Sequence, residues 1–154
     1  MKGNTKGSLP GLIAVVVAAV CAVAAFILGQ TVNPTYWNTA NVLTSGADWF
    51  MFSGIAAIAA AVIYVALFKF FPNGIVLHIV TLAIAMCSVS ALAAMWSNCV
   101  VEIAYIYGEG NLELGNTAAV AGSQLLFVAT GLYVAGALAV VVANAIGLTK
   151  TEKQ

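Results

Sequence analysis

The sequence predicts an all-α integral membrane protein, with four transmembrane helices in an antiparallel up-down bundle and both termini cytoplasmic. Three observations predict it. The 154 residues are 63% hydrophobic and 6% charged with mean hydropathy +1.06, whereas a soluble domain carries about 25% charged residues. Four uncharged apolar runs are each long enough to cross a hydrocarbon core of ~30 Å. The charges are also sorted: Lys2, Lys6, Lys69, Lys150 and Lys153 fall on one side of an even number of spans, and Asp48, Glu102, Glu109 and Glu113 on the other. Residues 1–154 therefore read as a single four-helix transmembrane domain, with spans at about 9–29, 48–69, 75–97 with a helical extension to 107, and 117–147.

The first span begins behind Lys2 and Lys6. Its flanks resemble a signal peptide, and Ala22-Val23-Ala24 offers a small-x-small cleavage site, but the apolar run continues through Phe26, Ile27 and Leu28, so a retained helix is expected. Pro10 suits a first helical turn, where its missing N–H costs nothing. Residues 30–47 form an uncharged polar break rich in Asn, Thr, Gly and Pro. Ser45-x-x-Asp48 then reads as a capping box opening the second span, which Lys69 closes.

Pro72-Asn73-Gly74 is a turn signature, so the second and third spans form a tight hairpin. From Ile75 to Tyr107 no breaker appears, and a helix of that length reaches about 50 Å at 1.5 Å per residue, so one end must stand out of the membrane. Gly108-Glu109-Gly110-Asn111 breaks it, and Asn116 or Thr117 caps the fourth helix, which ends at Gly147 before a polar tail. Trp37, Trp49, Trp96, Tyr105 and Tyr107 are expected to form an outer aromatic belt, with Tyr64, Phe70 and Phe71 at the inner boundary.

The sequence offers packing faces in place of chemistry. Gly131, Ala135, Ala139, Ala143 and Gly147 recur every fourth residue, as do Ala14, Ala18 and Ala22, and Ala56 with Ala60 and Ala57 with Ala61 add similar spacings. Such small residues let a second helix backbone approach closely, and these are read as a helix-packing or oligomer face. His78, Thr81 and Ser88, with Gln124, make a polar seam for hydrogen bonding between helices; a proton path would need a second titratable group at membrane depth. Cys21, Cys87 and Cys99 lie at different depths without paired spacing, so no metal site is expected. No cofactor is expected either, nor an enzyme: Glu102, Glu109 and Glu113 lack His or Arg partners and read as a solvated surface. A net charge of zero argues against nucleic acid as a partner.

The four-span plan resembles that of claudin-like and tetraspanin-like proteins in topology only. The first outer loop holds Trp37 and Trp49 but no cysteine, and a Cys-Cys-Gly in the second is absent. The expected function is that of a structural, self-associating membrane protein whose partners are lipid and either itself or other membrane subunits. The alternative is a small channel or transporter with a pathway along polar residues of the third and fourth helices. The lack of glycosylation sequons and of outer-side disulfide pairs fits a bacterial or archaeal cell membrane.

Overall fold

The computed structural model of the chain describes residues 5–32, 46–70, 74–108, 117–146 and 149–151. The apolar runs fold as α1 (Leu9–Val32), α2 (Gly46–Phe70), α3 (Gly74–Tyr107) and α4 (Thr117–Ile146). Each is long and apolar enough to cross a membrane, over Leu9–Gly29, Phe52–Phe70, Gly74–Ser97 and Val120–Ile146. The hairpin turn at 71–73, the connections 33–45 and 109–116 with the expected Ser45 and Asn116 caps, and Gly147 lie outside the described residues.

Helix boundaries follow local chemistry. Ser8 is buried immediately ahead of α1, and its carbonyl accepts the first helical bond from the Leu12 N–H at 3.0 Å, which is the N-cap arrangement. Pro10 occupies the first turn. Helix α3 runs unbroken for 34 residues, and the Gly108 N–H continues its bonding pattern by donating to the Ala104 carbonyl at 2.7 Å.

The helices are arranged up and down in a square. Helix α1 packs between α2 and α4, α3 packs between the same two, and the α1–α3 diagonal barely touches. The most extensive pairs are α1 with α4 and α2 with α3. Buried positions recur with alternating steps of three and four. From the cap into α1 they are Ser8, Gly11, Val15, Ala18, Ala22, Ala25 and Gly29; in α4, where Ser123 is also buried, they are Gly122, Leu126, Ala129, Tyr133, Gly136, Val140 and Ala143. A mean step of about 3.5 residues keeps each seam facing its neighbour when helices cross at about 20° in a left-handed bundle.

The core divides by depth. Val15, Ala18, Ala61, Tyr64, Leu77, Ile84, Val140 and Ala143 pack together near one end. Ala25, Ala91, Met95, Cys99, Ile106, Leu126, Ala129 and Tyr133 pack near the other. Tyr64 was expected at the inner aromatic boundary, but its side chain is 0% exposed inside the bundle. It continues the step pattern of Ala57 and Ala61, which turns it inward. Its hydroxyl has no hydrogen-bond partner among the described residues.

A small ribbon joins the chain's two ends. Strand β1 (Thr5–Gly7) pairs antiparallel with β2 (Thr149–Thr151), with Thr5 opposite Thr151, Lys6 opposite Lys150 and Gly7 opposite Thr149. The ends of α1 and α4 that meet this ribbon therefore lie at the same end of the bundle, as do the end of α2 and the start of α3.

Candidate functional site: the seam between α3 and α4

Five side-chain hydrogen bonds link α3 to α4. Near the ribbon end, the Asn144 carboxamide sits between His78 and Thr81. Its Nδ2 donates to the Val140 carbonyl at 2.9 Å and to Thr81 Oγ1 at 3.0 Å. A carbonyl can only accept, so this orients the amide and leaves Oδ1 to accept from His78 Nδ1 at 2.5 Å. The imidazole is thereby held with its proton on Nδ1. The Thr81 hydroxyl donates to the His78 carbonyl at 2.8 Å and lies 3.2 Å from Asn144 Oδ1. Thr81 is completely buried, whereas His78 is exposed on the outer face of the seam.

Toward the other end, Trp96 Nε1 donates to Thr130 Oγ1 at 2.8 Å, and Thr130 donates to the Leu126 carbonyl of its own helix at 2.9 Å. The Tyr107 and Ser123 hydroxyls meet at 2.7 Å. Phe127 lies between the two aromatics, with its ring centre 6.0 Å from Trp96 and 6.1 Å from Tyr107. These spacings suit tilted aromatic contact.

Two open cavities of about 340 and 350 Å³ lie along the outside of this seam. The first is bounded by His78 and Asn144 as well as apolar side chains. The second continues it, since Ala85 and Val141 line both, and reaches Ser90.

The residues singled out from sequence take different places. His78 and Thr81 come together around Asn144. Ser88 is buried but donates to the Ile84 carbonyl of its own helix at 2.8 Å, and Gln124 is exposed on α4. Of the outer aromatics, Trp96 is half-buried, and Tyr105 and Tyr107 are exposed. Trp37 lies outside the described residues, as does the side chain of Trp49. At the other boundary Phe70 is exposed, with the Lys69 ammonium 5.6 Å from its ring centre.

The small-residue stripe divides along its length. Gly131 and Ala135 are exposed, Ala139 is half-buried and Ala143 is buried. Successive residues four apart rotate by about 40° around a helix of 3.6 residues per turn, so three steps carry the stripe from lipid into the core. In α1, Ala14 is half-buried, and Ala18 and Ala22 are buried. The close approach within the chain centres on Gly136, where an added Cβ would stand 3.3 Å from Cys21 Cβ and 3.4 Å from the Ala18 carbonyl.

Asn144, Thr130 and Gly136 were not singled out from sequence. Asn144 carried a signal, as the one carboxamide in the apolar run from Leu125 to Ile146. Thr130 carried none that named Trp96 as its partner. Cys21 and Cys87 are half-buried, Cys99 is buried, and no disulfide joins any of the three. Among the described residues, no three His, Cys, Asp or Glu side chains converge to hold a metal ion. Compared with models of known protein families, with curated proteins and with solved structures, the chain matches none.

Proposed function

We propose that the chain is a structural, self-associating membrane protein, forming a homo-oligomer or serving as a packing subunit of a larger membrane complex. The observation that carries this reading is the back of α4. Gly131 and Ala135 are exposed there, and an added Cβ at Gly131 would meet nothing within 4 Å. Bundle packing uses a different face of the same helix, through Tyr133, Gly136 and Val140. A small-xxx-small pair facing lipid allows the close backbone approach by which membrane helices associate. We read the chain as non-enzymatic, with both termini cytoplasmic by the lysine bias of that end, and as resident in a cell membrane.

Particle mass in mild detergent and ordered arrays in reconstituted membranes test this reading. Gly131→Leu with Ala135→Leu is expected to lower the oligomeric state while leaving thermal unfolding in place. An unchanged mass would overturn the α4 face as the contact.

The α3–α4 seam favours a second reading, a small channel or transporter. Its polar clasps and outer cavities lie along one helix pair. A flux into liposomes that disappears in His78→Ala would select it over the structural reading.

A further inference from the structure

We propose that the groove along α3 and α4 is a binding slot for one anionic phospholipid, its phosphate at His78 and one acyl chain along the apolar remainder. The groove is most polar at one end. His78 and Asn144 bound the first cavity, Ala85 and Val141 connect it to the second, and Ser90 marks the far limit. Twelve residues of helix separate His78 from Ser90, a rise of about 18 Å, close to the ~15 Å of hydrocarbon in one leaflet. His78 stands one turn inside the start of α3, at the ribbon end of the groove.

The head of the slot has an open valence. Asn144 engages Nδ1 of His78, and Nε2 has no hydrogen-bond partner among the described residues. In the proposed complex a phosphate oxygen meets the Nε2 edge of the ring while Nδ1–H stays on Asn144.

Charge selects the class of lipid. The basic residues among those described, Lys6, Lys69 and Lys150, all stand at this end of the bundle. The ribbon register sets Lys6 opposite Lys150 along the backbone, so three lysine positions gather at one end of the bundle. A lysine-rich end of this kind attracts an anionic headgroup more than a zwitterionic one. The back of α4, with Gly131 and Ala135, lies on another side of the helix from Val141, so the slot and the proposed self-association face are separate surfaces.

The test uses the full chain in phosphatidylcholine nanodiscs, titrated with phosphatidylglycerol. His78 is the only histidine, so a single labelled imidazole reports the site by ¹⁵N NMR. The expected result is a shift of the Nε2 resonance that saturates at one phosphatidylglycerol per chain, absent with phosphatidylcholine alone or with added inorganic phosphate. Native mass spectrometry is expected to find one retained phosphatidylglycerol in the wild type. His78→Leu removes the headgroup contact and Ala85→Leu fills the acyl path, and each is expected to lose that lipid. The proposal is overturned if the resonance ignores phosphatidylglycerol, or responds equally to phosphatidylcholine or inorganic phosphate. It is equally overturned if both folded variants keep the lipid, or if a second copy of the chain occupies the groove.

Discussion

Helix α4 is shared by two seams built on opposite principles. Against α1 it is dry and close, with Gly136 lying over Ala18 and Cys21 and small residues at nearly every buried position of α1. Against α3 it is held by polar clasps, Asn144 with His78 and Thr81 near one end and Trp96 with Thr130 and Tyr107 with Ser123 toward the other, with open space along the outside. In lipid, apolar burial offers little preference between helix and solvent, so association depends on dispersion contact and interhelical hydrogen bonds. This bundle assigns the two to different seams. Dispersion tolerates no added volume, whereas a clasp can lose a member and leave the helices in place. The first seam should therefore be brittle to enlargement and the second tolerant of truncation.

The most severe test of that contrast is Gly136→Leu. The new side chain has to displace the α1 backbone at Ala18, and overpacking of this kind costs about 3 kcal/mol. A large fall in thermal stability in detergent is expected; a melting temperature equal to wild type would show that the α1–α4 seam is loose. Gly54→Ala comes next. Its Cβ would stand 2.7 Å from Phe26 Cδ2 and 3.1 Å from the Tyr133 hydroxyl, so the Phe26 ring must move, at a cost of about 1–2 kcal/mol. Denaturation in mixed micelles measures it, and a stabilised protein would contradict the packing described.

On the polar seam the effects are smaller. Asn144→Leu removes the link between His78 and Thr81 and is expected to cost about 1 kcal/mol with the fold intact; loss of the folded state would mean that the clasp, not packing, holds α3. Thr130→Val removes the acceptor for the Trp96 indole, worth about 0.6 kcal/mol, and indole hydrogen exchange at Trp96 should speed up. Tyr64→Phe runs the other way. It deletes a buried hydroxyl that has no partner among the described residues while keeping the ring, so stability should stay level or rise by up to about 1 kcal/mol. A clear loss would reveal a partner for that oxygen.

The four helices were legible because each is a long apolar run whose composition admits one environment, and breakers such as Gly108 mark where a run stops. Phase within the helices was harder to read. A spacing of four looks like a stripe, but it rotates, which is why Gly131 faces lipid and Ala143 faces the core. The alternation of three and four in Ala18, Ala22, Ala25 and Gly29 was the better guide to the buried side. Tyr64 misled for a related reason: a tyrosine near Lys69 suits a boundary belt by composition, and only its phase with Ala57 and Ala61 turns it inward.

Half of the clasp chemistry was also visible. His78 and Thr81 stand out as polar residues in an apolar run, but their partner sits 63 residues beyond Thr81, and no local pattern names it. The β1–β2 ribbon left no trace, since three-residue strands carry no periodicity.

That ribbon orders events as well as residues. Strand β2 follows α4 and is synthesised after these four helices, whereas its partner β1 precedes α1. Pairing Thr5 with Thr151 closes a loop spanning nearly the whole chain, and it can form only when α1 and α4 have delivered both ends to one side of the membrane. A chain with one helix left uninserted would hold those ends on opposite sides. Six paired residues would thus form only after all four helices between them had crossed.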